Sequence, residues 1–181
     1  MPEDLVRAGP ERPLERNWAW HDAVVNVRRA LRLGLLSVLG ALLLIQVIPY
    51  GRDHTNPPTT AEPAWDSPPT RELAAAACFD CHSNETTWPW YTNLAPFSWL
   101  IQRDVDEGRA ALNFSEWDRP QAESDEVSEV IREGGMPPWN YTILHGGARL
   151  SDAERNQLID GLRATFNASP PIQGEGEPED E

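Results

Sequence analysis

Both cysteines of the 181-residue chain and one of its four histidines lie together at Cys78-Phe79-Asp80-Cys81-His82. C-x-x-C-H is the attachment signature of a c-type haem. Two thiols three residues apart on a helical turn can each form a thioether to one of the porphyrin's two vinyl groups, and the next imidazole is then carried under the iron as proximal ligand. Other chemistries fit less well. A Cys78–Cys81 disulfide would close a very small loop and leave His82 without a role. A thioredoxin-like pair needs a βαβ setting, and no segment here has a strand period. Zinc needs a full ligand set, and the adjacent Cys81 and His82 are poorly disposed to share one ion. One covalent haem c per chain is expected, on Cys78, Cys81 and His82.

A second axial ligand must then come from elsewhere. Met136 is the only methionine after the initiator, and it sits in Gly134-Gly135-Met136-Pro137-Pro138. A lone methionine usually fills a core gap, but a Gly-Gly/Pro-Pro junction is a poor place for core filling and a good one for holding a thioether. His145 is the first alternative and His54 a further rival; an open sixth position is the third possibility. His21 lies on the far side of the membrane segment inferred below and is set aside. Five of the eight tryptophans fall between residues 60 and 120, and large rings suit a site that buries a flat apolar cofactor. Trp88-Pro89-Trp90-Tyr91, an aromatic run broken by proline, is expected to wrap the cofactor, with Trp99 in the following helix adding to the wall.

These residues need elements to position them. Residues 1–32 carry six arginines and five acids and read as a cytoplasmic tail or a disordered one, with Trp18 and Trp20 candidates for the headgroup level. Residues 33–51 are uncharged and, as a helix, would just span a hydrocarbon core. Arg28, Arg29 and Arg32 flank the N-terminal end and orient it inward. An uncleaved anchor fits better than a signal peptide, because no small-x-small site follows. Residues 52–66, rich in proline, read as a semi-rigid spacer.

A helical domain is expected over residues 67–167. Pro68 and Pro69 open its first helix, which runs through an alanine-rich stretch into Cys78 and ends after His82. Pro96 opens a second helix to about Leu112. A third starts around Ser124, with Val127, Val130 and Ile131 on one face and Gly134-Gly135 as its stop. Ser151-Asp152-Ala153-Glu154 is a capping box for the last helix, whose apolar face is Leu158, Ile159, Leu162 and Phe166. Residues 168–181 read as a solvated acidic tail.

The formal charge is −14, with 15 arginines, no lysine and 29 acids. This balance argues against nucleic acid and against peripheral docking on anionic lipid. From Arg52 onward nine arginines face 24 acids, a balance of −15, which would steer a redox partner with a basic docking face.

The chain resembles the membrane-anchored haem-binding domain family, monohaem c-type cytochromes of bacteria. The likeness is carried in order by Thr55-Asn56-Pro57-Pro58, by Cys78-Phe79-Asp80-Cys81-His82-Ser83-Asn84-Glu85-Thr86, by Trp88-Pro89-Trp90-Tyr91, by Ala95-Pro96, by Asp104-Val105 with Gly108-Arg109 and by Asn113-Phe114-Ser115-Glu116-Trp117. Met136-Pro137-Pro138, Tyr141, His145 and Leu150-Ser151 complete it. The resemblance implies covalent haem on Cys78 and Cys81 with His82 as proximal ligand, and it keeps His145 in view as ligand or supporting donor. The expectation is therefore an all-α, cytochrome c-like domain on one transmembrane helix in a bacterial inner membrane. Its haem would lie on the periplasmic side and transfer single electrons. A haem-based sensor with an exchangeable sixth ligand is the alternative. Enzyme activity of the peroxidase type is not expected, since one haem motif leaves no second haem to feed.

Overall fold

The computed structural model describes residues 16–173, with side-chain surroundings from residue 24 onward. The side chains of Trp18 and Trp20, and the ends 1–15 and 174–181, lie outside what is described. The chain divides into two units, the first ending at Val47 and the second beginning at Ile48.

In the first unit one helix, α1 (Arg16–Ile45), joins what the sequence reads as tail and anchor. It turns off at Gln46, so only 13 residues of the uncharged run are helical beyond Arg32. That length rises about 20 Å, short of a hydrocarbon core of about 30 Å. Among the described residues no helix is long and apolar enough to cross a membrane. The expected transmembrane helix over residues 33–51 is corrected to that extent. Leu35, Leu36, Val38, Leu43 and Leu44 are all exposed along α1.

The second unit is all-α apart from one small strand pair. Pro68 and Pro69 fill the first helical positions of α2 (Pro68–Ala77), where a missing N–H costs nothing. The helix does not run through the cysteines as expected. Cys78 leaves helical geometry (φ −124°), and α3 (Phe79–His82) is a separate turn. Then come α4 (Phe97–Ala111), α5 (Val127–Glu133), α6 (Trp139–Leu144) and α7 (Asp152–Ala168). Helix α5 begins three residues later than the sequence suggests and stops at Gly134, whose φ of 80° suits glycine. The capping box at Ser151 is formed in both directions. Helix α6 is absent from the sequence reading, and six residues after a Pro-Pro pair carry little periodic signal.

Helix α2 lies across α7 at a contact that only glycine allows, since a Cβ on Gly161 would run into the Thr70 side chain. Phe79, Phe114, Trp117, Ile131, Leu158 and Leu162 form the core, with Ala74 of the alanine run fully buried among them. Trp65, Phe79, Phe114, Trp117 and Phe166 make a continuous chain of ring contacts through it.

The segment read as a spacer and the start of the one read as a solvated tail are instead packed on the domain. The proline-rich stretch lies against the turn after α4: Thr60 N–H donates to Ser115 O at 2.9 Å and Trp117 N–H to Ala61 O at 3.0 Å. It is a strap on the domain as well as a connection. At the other end, β1 (Pro120–Gln121) pairs in parallel with β2 (Ile172–Gln173), and Trp117 Nε1–H donates to Ser169 O at 3.0 Å. The sequence could not show either, because proline-rich and polar segments give no periodic signal when they are held by backbone hydrogen bonds.

Candidate haem site

Helix α3 is short, and its position is set by neighbours. It packs on α4 at Gly108, where an added Cβ would lie 2.6 Å from Cys81 O. The next turn is fixed by a buried polar network. Phe114 N–H donates to His82 O at 2.9 Å, Asn84 N–H to Ser115 Oγ at 2.9 Å, and Asn113 Nδ2–H to Asn84 Oδ1 at 3.1 Å. Gln121 closes the network by accepting from Asn113 N–H at 2.8 Å. Buried amides satisfied in this way fix one geometry, since leaving any of them unpaired would be costly.

Arg109 of α4 ties this turn to the strap. Its guanidinium donates to Ser83 O at 2.8 Å, Thr55 O at 3.1 Å, Asn56 Oδ1 at 3.1 Å and Thr86 Oγ1 at 3.0 Å. Asp80, inside the C-x-x-C turn, uses both carboxylate oxygens: one accepts from Thr87 N–H at 2.8 Å and the other from Tyr141 O–H at 2.6 Å. The tyrosine hydroxyl's pKa is raised by burial and by that carboxylate.

Beside α3 opens a cavity of about 420 Å³, walled by Cys78, Cys81 and His82 on one side and by Met136, Pro138 and Tyr141 on another. An apolar recess adjoins it, lined by Leu112, Phe114, Val127, Ile131 and Leu162 and again by Cys78, His82 and Met136. Both thiols are free. Burial, with Cys81 nearby, pushes the Cys78 thiol up to about 12. Burial and the carboxylates of Asp104 and Asp80 push Cys81 to about 12 also. Burial lowers the pKa of His82, against the opposing effect of carbonyl hydrogen bonds from Leu112 and Gly108, and so favours the neutral imidazole. His82 Nδ1 lies 3.1 Å from Leu112 O. With Nδ1 as the donor there, Nε2 keeps its lone pair for a metal.

These residues fit a haem. Two reduced thiols, a neutral imidazole with one nitrogen free and an apolar recess meet at one cavity of the size that small cofactors occupy. A model of the haem-binding domain matches residues 40–164, more than half of the chain. The chain belongs to the haem-binding domain family. It is also 28% identical over 108 residues to the cytochrome c peroxidase Ccp of Escherichia coli (strain K12), a match spanning 54% of this chain and 23% of that protein. The chain thus covers less than a quarter of that relative's length. No solved structure matches it.

As a haem-binding domain, the chain has a haem cofactor, and its candidate ligands can be placed. Met136 lies in the wall of both cavities, on an exposed loop held by its own N–H and that of Gly135 to Val130 O at 3.4 and 2.9 Å. His145 lines neither cavity. It stacks on Tyr141 with centroids 4.1 Å apart, and its Nδ1 lies 3.1 Å from Tyr141 O. His54 stacks on Trp88 at 4.7 Å and hydrogen-bonds Thr92.

The aromatic residues expected around the cofactor are elsewhere. Trp88, Trp90, Tyr91 and Trp99 line neither cavity. Trp88 Nε1–H donates to Asn56 Oδ1 at 3.1 Å, which draws the loop to the strap. Trp90 is 76% exposed, and Tyr91 meets Phe97 edge-on. The rings that do reach the cavities are Phe114 and Tyr141. Sequence could have pointed to the α5 face, whose Val127, Val130 and Ile131 share helical spacing. Glu123 and Ala111, also in both walls, carry no such signal.

Proposed function

We propose that this haem-binding domain is a monohaem c-type cytochrome that carries single electrons. Its support is one juxtaposition: Cys78, Cys81 and His82 share a cavity with Met136, the only methionine after the initiator. Each thiol can add across one vinyl C=C. Each addition would form one carbon–sulfur bond and leave the thiol hydrogen on the other vinyl carbon, with no electron lost or gained. His82 Nε2 and Met136 Sδ would hold the iron in this reading, with His145 supporting Tyr141. The bound haem supplies a one-electron couple, and a methionine ligand raises its potential. The chain's residues exclude water, orient the imidazole and place acids round the opening; no acid–base machinery is needed.

The protein is no enzyme in this reading. More than three quarters of the peroxidase relative lies outside the match, so its named activity has room to reside there. Here the electron passes to a separate redox partner with a basic docking face. Helix α1, with exposed leucines following Arg28, Arg29 and Arg32 at its middle, is the proposed attachment to the inner membrane, the haem facing the periplasm. The arginine stems can extend its apolar reach by snorkelling.

Denaturing purified protein tests covalent attachment: haem should stay with the wild-type chain and leave Cys78→Ala/Cys81→Ala. Met136→Ala tests the sixth ligand. The expected outcome is a lowered reduction potential and rapid carbon monoxide binding by the ferrous form. An unchanged spectrum and potential would remove Met136. Rapid carbon monoxide binding by the wild type would favour instead a haem sensor with an exchangeable ligand, a reading helped by the exposure of the Met136 loop.

A further inference from the structure

Helix α6 is placed unusually for a short amphipathic helix. None of its six residues is buried. Trp139 is 76% exposed, Leu144 67% and Ile143 58%, and the nearby Met136 is 38% exposed. Scattered exposed apolar residues need no explanation, but three on one short helix form a patch that does. The helix is pinned by Tyr141 on Asp80, and Arg149 donates to its terminal carbonyls at Thr142 (2.7 Å) and Ile143 (3.4 Å). Its inner residues Asn140 and Tyr141 line the haem cavity, whereas Trp139, Ile143 and Leu144 do not. A molecule on the outer side would sit about one helix diameter, about 10 Å, from the cavity.

Charge decides between occupants. Asp104, Glu107 and Glu123, all exposed, line the cavity beside Asn140 and Tyr141 of α6, three acids against the exposed Arg149, whose guanidinium is bonded to the carbonyls of Thr142 and Ile143. A second copy of a −14 chain and an anionic membrane would both be repelled by such a rim. Residues 174–181 contain only Gly, Glu, Pro and Asp and offer no apolar side chain to cover the patch. We propose that α6, through the exposed Trp139, Ile143 and Leu144, is the docking face for an electron-transfer protein whose own apolar contact area is ringed by lysine or arginine. This rests on the electron-carrier reading above. The partner's oxidised centre would accept one electron from the haem-loaded chain, with no bond made or broken and no proton moved.

The test uses the full-length holoprotein in neutral detergent and the strongly basic mitochondrial cytochrome c as probe acceptor. Electron transfer between them, followed by stopped flow, should slow steeply with added salt. Trp139→Ser/Ile143→Ser should slow it roughly tenfold, the loss of one apolar anchor, with the haem spectrum unchanged. Glu107→Gln/Glu123→Gln should flatten the salt dependence. Leu100→Ser, exposed on α4, should change nothing. Equal rates for the Trp139 variant and wild type would overturn the proposal, as would equal slowing by Leu100→Ser or a dimer that the Trp139 variant dissociates. Failure to reduce the probe while a small dye still exchanges electrons would overturn the basic-partner assignment alone. Failure with the dye as well would overturn the carrier reading and this inference with it.

Discussion

Asp80 occupies one of the two variable positions of C-x-x-C, where sequence assigns no duty, yet it joins two parts of the site. One oxygen holds the turn after His82, and the other holds Tyr141, the third residue after the Pro-Pro pair that follows Met136. Tyr141→Phe keeps the ring and its stack on His145 but removes the hydroxyl. The ferrous variant should bind carbon monoxide faster than wild type, with little change in far-ultraviolet circular dichroism. Glu62 is a second residue-scale case. It accepts from Arg71 Nε and Nη2 and from Trp65 Nε1, each at 2.8 Å. Arg71 holds its carboxyl below the usual range, against partial burial. The folded protein therefore binds this proton less readily than the unfolded chain. The stabilisation is complete above the usual carboxylate pKa and is lost as pH falls through the lower folded value. Glu62→Gln should cost about 1 kcal/mol at neutral pH, and the gap in Tm should close in acid. At this scale sequence singles out C-x-x-C-H and Met136, because their residue types are rare and their chemistry restricts them. Asp80 and Glu62 are common acids whose roles depend on what folds against them.

Elements behave differently, because capping and periodicity are local. The ends of α2, α5 and α7 follow from Pro68-Pro69, Gly134 and Ser151 with small shifts. What α4 does was not local: Gly108 lets it approach α3 at Cys81, and Arg109, one residue on, ties the strap to Ser83. Gly108→Ala should therefore destabilise by about 1–3 kcal/mol through forced displacement of backbone. Thermal melts would show it, together with a lower yield of attached haem, since the two thiols would move relative to the recess. The break at Cys78 escaped the alanine-rich pattern for a similar reason: helix propensity favours continuing, and the packing of Phe79 into the core ends the run.

At the scale of the molecule the division at Val47 and Ile48 gives its own prediction. A chain beginning at Ile48, exported behind a cleavable leader, should attach haem and keep the wild-type spectrum. It should be recovered free of membranes if α1 is the attachment; sedimentation with the membrane fraction would count against that role. The sequence by itself determined the cofactor, the helical class, the helix-start and helix-stop signals and the sign of the surface, because each rests on residue type at short spacing. Tertiary structure decided which rings line the cavity, that the proline-rich segment is a strap, that Met136 shares walls with His82 where His145 does not, and that Trp139 faces outward. Those depend on contacts between residues far apart in the chain, such as Thr60 with Ser115 and Asp80 with Tyr141, and no local pattern encodes them. So the C-x-x-C-H motif names the haem, while the fold around it determines what else can reach it.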